Sequence, residues 1–307
     1  MREGESPWSR RYLGVQNRIM KRSITLLAFA LSLSAAHATC PPVGESRASL
    51  QTWKEAKWQP ARPQLARPLL ECLGDPDPEL RDGFAFDALR SMMRGNQLDT
   101  ETMHAMRTRL LAMMRTQDPR GFAPPFAALT MAEVVRVDRL QPFMTGNQRA
   151  EVVDAAVAFL SNETDHRGFD ESEGWRHGVA HGADLMLQLA VHPALERVHA
   201  EAMLAAIARQ VAPHGDHFYR YGEYDRLAAP VYYLARRGFF TPQEWETWLR
   251  GLAARVARDA TTQTQLAARH NINAFIASLY VATRESGDMK VEEVLLPGLR
   301  KAVREIG

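Results

Sequence analysis

The chain has 307 residues, enough for one large domain or two small ones; 46% are hydrophobic and 24% are charged. These values are ordinary for a chain that folds around a core, and they exclude a long disordered or fibrous protein. The 38 basic and 36 acidic side chains nearly cancel, and no clustered Lys and Arg indicate a nucleic-acid partner.

The first 38 residues are typical of a segment that targets a chain for export. The basic residues 21–22 precede an apolar run, 24–33, and the small residues 36–38 form a cleavage site. The run is shorter than the roughly 20 residues that cross a bilayer, so no transmembrane segment is predicted. We expect a periplasmic or secreted protein in which 1–38 is an upstream extension plus signal peptide, cleaved near Ala38. Met20 is an alternative start.

The slight basic excess belongs to that segment, which holds six basic and two acidic residues. The remaining chain has 32 basic and 34 acidic residues, a net charge of −2.

Two cysteines, Cys40 and Cys72, follow the predicted cleavage site. In an oxidising compartment they can form a disulfide. A buried free Cys72 with an unpaired Cys40 is an alternative, and so is lipidation of Cys40, although Thr39 is a poor residue before a lipidated cysteine. No C-x-x-C motif is present, which excludes thiol redox catalysis of that type.

After residue 44, almost every segment has the apolar periodicity of an amphipathic helix. Helix starts are marked by Asp77-Pro78, by Asn147, and by a capping box of Thr241 and Glu244. No stretch alternates apolar and polar residues well enough to predict a strand.

The pattern predicts an all-α fold of stacked antiparallel helix pairs, an α-solenoid or α/α array of the HEAT-like kind. One such helix cannot bury its apolar stripe alone, so its neighbours must supply the core. We predict N-terminal lead helices in 39–76 and a helical-array domain in 77–307.

The segment GWRHGVAHGADLMLQLA, residues 174–190, contains neither Lys nor Glu, although a solvated helix face is usually rich in charge. On a helical wheel Trp175 lies on the apolar core face, and His177, His181 and Asp184 form a stripe on the opposite face. The stripe is therefore predicted to be covered or to line a cleft.

Three glycines, Gly174, Gly178 and Gly182, stand four residues apart in this segment. Glycine inside a helix costs about 1 kcal/mol relative to alanine, so the interior glycines imply that a backbone or a ligand comes very close.

Three interpretations of the stripe stay open. His181 and Asp184 can satisfy each other in a buried polar network. Alternatively, His177, His181 and Asp184 can hold a divalent metal, zinc first. The third interpretation is a metal-free catalytic or ligand-binding histidine that Asp184 orients. A zincin peptidase is disfavoured, because Gly178 stands where that motif has its Glu.

A second group of aromatic and charged residues occupies HGDHFYRYGEYDRLAAP, residues 214–230. Its aromatic side chains can stack on sugars or peptides, and Glu223, Asp225 and Arg226 extend the candidate cleft. Alternatively, Glu223 and Asp225 are simply first-turn residues of the next helix, where the dipole favours acids.

Four segments resemble the bacterial domain-of-unknown-function family 2785: DPELRDGFAFDAL, RGFDESEGWRHGVAHGADLMLQLAVHP, GEYDRLAAPVYYLARR and RHNINAFIASLY. The resemblance covers roughly residues 78–280. Its most specific part is G-W-x-H-x-x-A-H-x-A-D, here Gly174, Trp175, His177, Ala180, His181, Ala183 and Asp184. Pro230 departs from the expected pattern and makes the start of its helix uncertain. The resemblance implies a shared helical domain and no reaction.

These observations favour a ligand-binding or scaffold domain with a cleft beside the 174–190 helix and a small molecule, glycan or peptide as partner. The alternative is a metal-dependent hydrolase that uses the stripe, with Glu223 or Asp225 as third ligand or base.

Overall fold

Twelve α-helices make up most of residues 40–306, the part of the chain that this computed structural model describes. They are α1 (Arg47–Glu55), α2 (Ala66–Glu71), α3 (Asp87–Arg94), α4 (Thr100–Met114), α5 (Ala123–Leu140), α6 (Gly146–Asn162), α7 (Gly178–Ala190), α8 (Arg197–Val211), α9 (Glu223–Ala235), α10 (Pro242–Ala253), α11 (Gln263–Glu285) and α12 (Met289–Ile306). A π-helical segment, Glu79–Phe86, continues directly into α3.

The helices pack as sequential antiparallel pairs in two rows. One row contains α2, α4, α6 and α8, and the other contains α3, α5, α7, α9 and α11, so neighbours within a row are two helices apart in the chain. The predicted all-α array is confirmed. One continuous apolar cluster runs from Leu50 to Ile306 and includes the lead helices, and the boundary at 76/77 stays a prediction.

Capping follows the sequence in one place and departs from it in another. The predicted box of Thr241 and Glu244 begins α10. The helix assigned to an Asn147 cap instead begins with a box of Thr145 and Gln148. Both threonine and asparagine can cap, but only Thr145 has Gln three residues later.

Helix α7 begins four residues later than predicted, at Gly178. Gly174 and His177 have φ values of +74° and +54°, in the left-handed region that an α-helix does not contain. Residues 174–175 instead form strand β2, which pairs antiparallel with strand β1, residues 169–170. Strands of two residues are too short to show the alternation by which a sequence reveals a strand.

Cys40 and Cys72 form a disulfide, with Cα atoms 5.3 Å apart, that ties the segment before α1 to the end of α2. The predicted signal peptide lies outside the described residues. None of the helices within 40–306 is both long and apolar enough to cross a membrane.

Candidate functional site

His177 occupies the strained position at the start of α7. Its left-handed backbone is uncommon for any residue but glycine, and it is held by a hydrogen bond from its N–H to the Arg167 carbonyl. The imidazole stacks on the Trp175 indole, with ring centroids 4.7 Å apart. The prediction that Trp175 lies on the core face of a helix is therefore wrong. Trp175 lies in the hairpin strand β2, where it is 36% exposed.

Glu223 is the first residue of α9 and is only 2% exposed. Its Oε1 lies 3.5 Å from His177 Nε2, and its Oε2 accepts a hydrogen bond from the Tyr221 N–H. Burial alone would raise the pKa of Glu223, but His177 and backbone N–H groups lower it below its ordinary value. The carboxyl is thus ionised at neutral pH.

Around this pair lies a group that we call the polar cluster: Glu163, His166, His177, His217, Tyr219 and Glu223. The His166 and His217 rings stack at 5.2 Å, and burial is the main cause that lowers the pKa of each, which leaves both neutral at pH 7. Tyr219 is buried rather than exposed in its loop, and its hydroxyl donates to the Gln210 carbonyl. Burial and the nearby carboxylates of Glu223 and Glu163 raise the pKa of Tyr219.

Two ring nitrogens of the polar cluster have no hydrogen-bond partner, and a third has only a long contact. The Nε2 atoms of His166 and His217 are buried and form no hydrogen bond with any described residue, and His177 Nε2 has only the 3.5 Å contact with Glu223 Oε1. Buried polar atoms in proteins are nearly always paired with protein, water or ligand. The polar cluster therefore has hydrogen-bonding capacity that the described residues do not satisfy, and that water or a ligand can satisfy.

Glu163, at the C-terminal end of α6, explains the glycine at 178. A Cβ on residue 178 would lie 2.4 Å from Glu163 Oε2, while Glu163 Oε1 accepts a hydrogen bond from the Asp165 N–H. Burial raises the pKa of Glu163 to about 7. Sequence reasoning missed Glu163, because a polar residue just after a helix is ordinary. The three glycines four residues apart do not form one face of α7, since Gly174 lies outside the helix and Gly182 packs against side chains of α6.

The polar cluster borders a recess of about 570 Å³, the loop cleft, formed by the segments before α7 and α9. His166, His217 and Tyr221 line it, together with three arginines and three acidic residues: Arg167, Arg176, Arg220, Asp165, Asp170 and Glu173.

A second recess of about 380 Å³, which we call the α7 groove, is lined by His181 and Asp184, the other two residues of the predicted stripe. Asp184 on α7 accepts two hydrogen bonds from Arg226 on α9. His181 is buried edge-to-face against Phe126, with ring centroids 4.9 Å apart, and burial holds its pKa well below the ordinary value. Asp225 is exposed in the first turn of α9, as one sequence interpretation allowed.

Six of the seven predicted residues divide between two places, and Asp225 lies at neither. His181, Asp184 and Arg226 line the α7 groove. Trp175, His177 and Glu223 lie beside the loop cleft rather than in its lining: Trp175 contacts Phe169 and Tyr221, and His177 and Glu223 form the buried pair. No group of three or more His, Cys, Asp or Glu residues within 40–306 is placed to hold a metal ion. Zinc binding by His177, His181 and Asp184 stays a prediction, and Asp184 is already engaged by Arg226.

Among known proteins, no curated protein and no solved structure matches the chain. A family model described as "Protein of unknown function (DUF2785)" matches residues 110–281, more than half of the chain. The match contains the polar cluster, the loop cleft, and the helices α5 to α10 that surround them. The chain belongs to the DUF2785 family.

Proposed function

We propose that this chain is an exported binding protein whose loop cleft holds a polar small molecule. The observation that supports this most strongly is the set of three buried imidazole Nε2 atoms, of which two have no partner and the third has only the 3.5 Å contact with Glu223. A buried polar atom that stays unpaired costs about 1–3 kcal/mol, so a ligand that pairs several of them gains binding free energy.

The protonation state of the cluster narrows the chemistry of that ligand. A neutral imidazole nitrogen either donates or accepts, depending on its tautomer. Hydroxyl and amide groups can do both, so a ligand rich in either suits His166 and His217. The targeting segment and the disulfide, which is typical of oxidising compartments, support export.

The same nitrogens favour a second candidate, a zinc-dependent hydrolase, because imidazoles and the Glu223 carboxylate are zinc-ligand types. As they stand, the described side chains do not surround one point as a ligand set, so this candidate requires them to move.

Thermal unfolding with three defined probe sets tests the proposal: neutral oligosaccharides, tripeptides and zinc chloride. We expect one set to raise the melting temperature of the native chain, since a ligand at 100 times its Kd stabilises by about 2.7 kcal/mol. His166→Ala should abolish that rise.

His104→Ala is the matched control. His104 also has a buried ring nitrogen without a partner, but it lies on α4, outside the loop cleft. Stabilisation that survives in His166→Ala would place the binding elsewhere, and no stabilisation by any set would reject the proposed function.

A further inference from the structure

Three large aromatic side chains meet at the surface beside the loop cleft. We call Phe169, Trp175 and Tyr221 the aromatic patch; they are 46%, 36% and 41% exposed. Trp175 lies 5.1 Å from Phe169 and 5.5 Å from Tyr221, measured between ring centroids. Exposed aromatic rings that contact each other leave apolar surface in water, which is typical of a binding surface.

The patch is held in place by the residues beneath it. The His177 imidazole stacks on the Trp175 indole at an angle of 22°. The Tyr221 ring lies directly on Gly168, where a Cβ would come within 2.0 Å of the ring, and its hydroxyl donates to the Phe169 carbonyl at 3.4 Å. Rings fixed in this way lose little side-chain entropy when a ligand binds.

The loop cleft beside the aromatic patch is lined by charged side chains, and their charges cancel. Arg167 pairs with Asp165, and Arg176 pairs with Glu173 at 2.7 Å. The two remaining charged residues, Arg220 and Asp170, are of opposite sign. A net-neutral wall of guanidinium and carboxylate groups offers many donors and acceptors but no preference for a charged ligand.

The aromatic patch and the net-neutral charged walls together favour one class of ligand over others. A partner helix or a membrane needs a continuous apolar face, whereas here three rings border on charged walls. A sugar has an apolar C–H face that packs on an aromatic ring and hydroxyls around its edge that both donate and accept.

We propose that the loop cleft binds a neutral oligosaccharide, with one sugar ring on the aromatic patch and the hydroxyls of its neighbour against the charged walls and the histidines. This inference rests on the proposed function and names the ligand class.

Isothermal titration calorimetry with three hexasaccharides tests it: β-1,4-linked glucose, β-1,4-linked N-acetylglucosamine and α-1,4-linked glucose. We expect at least one to bind, and Trp175→Ala to weaken that binding tenfold or more. Trp175→Phe should lose less, because it keeps a ring.

Gly168→Ala supplies a second, independent test. It keeps all three rings, but its Cβ occupies the space where the Tyr221 ring packs on Gly168 and displaces that ring. Binding should therefore again weaken severalfold. The controls are Gly251→Ala, where a new Cβ contacts nothing within 4 Å, and Val198→Ala, an exposed apolar residue on α8. Both should bind as the native chain does, and circular dichroism establishes that each variant is folded.

The outcomes separate the two proposals. If tripeptides bind in a His166-dependent manner and none of the hexasaccharides binds at millimolar concentration, the oligosaccharide inference is wrong and the binding function stands. If zinc alone binds in that manner, both are wrong and the zinc-dependent hydrolase is favoured. If a hexasaccharide binds equally well to Trp175→Ala and Gly168→Ala, the aromatic patch is not its site and the inference is again wrong. If no probe binds, both proposals fall.

Discussion

Gly178 and Glu163 act as one unit at the residue scale. The glycine leaves the space that Glu163 Oε2 fills, so neither residue can be understood from its own contacts alone. A change at 178 must move the carboxylate, and the carboxylate is anchored by the Asp165 N–H.

Gly178→Ala is expected to destabilise the chain by about 1–3 kcal/mol, because its Cβ displaces a hydrogen-bonded carboxylate. In a Glu163→Ala background the same change should instead stabilise by up to about 1 kcal/mol, since alanine favours helix. Urea unfolding of the native chain, the two single variants and the double variant measures the coupling. Additive effects would contradict the pairing, and Gly251→Ala reports the helix propensity alone.

Glu163 also predicts a pH dependence of stability. Its pKa rises from 4.5 to about 7 on folding, mainly through burial. The folded state therefore binds more protons than the unfolded state between these values, and the free energy of unfolding falls as pH rises through that window. At 1.36 kcal/mol per pH unit, the fall between pH 4.5 and about 7 is roughly 3 kcal/mol.

Glu163→Gln should remove that part of the dependence. Urea unfolding at pH 4.5, 6 and 7.5 compares the two chains, and the native chain should lose more stability than the variant as pH rises. Parallel curves would contradict the shift.

Sequence reasoning found the unusual residues but not their arrangement. The absence of Lys and Glu around His177, His181 and Asp184 marked a covered face, and His181 is buried. The helical-wheel projection placed His177 inside a helix and was wrong there, because the backbone of His177 is left-handed and the periodicity of a sequence does not reveal this. Glu163 and His166 reach the polar cluster through tertiary packing, so no local pattern pointed to them.

Apolar periodicity is strong evidence at the element scale, and weak evidence at element ends. It predicted the helical array, because each helix buries one stripe against its neighbours. It missed the hairpin of β1 and β2, whose strands have two residues each. Pro230 lies inside α9, where its missing N–H removes one helical hydrogen bond without ending the helix.

The Cys40–Cys72 disulfide closes a loop across 32 residues of sequence, which includes α1 and α2. In the chain-entropy model such a loop stabilises by about 3–4 kcal/mol. We expect the Cys40→Ala/Cys72→Ala variant to lose about that amount in urea unfolding. The native chain under reducing conditions should match the variant, and an unchanged midpoint would contradict a structural role.

At the scale of the whole molecule, the array explains why two distant segments meet. Helices α7 and α9 are neighbours in one row of antiparallel pairs, so both begin at the same edge of the molecule. The loops that precede them, more than 40 residues apart in sequence, are thereby brought together at one end, and His177 meets Glu223 there.

The proposed export concerns the whole chain and predicts its processed mass. Expressed with its own first 38 residues in a bacterium, the protein should be recovered from the periplasm with Thr39 at its N-terminus. Intact-mass spectrometry of the periplasmic fraction measures this, and a variant in which Ala36 and Ala38 are replaced by bulky residues should stay unprocessed. An uncleaved cytoplasmic chain, or a lipid on Cys40, would contradict the prediction.

The left-handed backbone at residue 177 has a consequence for mutational tolerance. Glycine adopts that conformation most readily, asparagine, aspartate and histidine adopt it more often than other residues, and branched side chains adopt it at a steric cost. A library randomised at 177 and selected only for folding should therefore be enriched in those four residues, without favouring histidine among them. Selection of the same library for ligand binding should restore histidine, so the divergence of the two populations separates what the backbone requires from what the imidazole contributes.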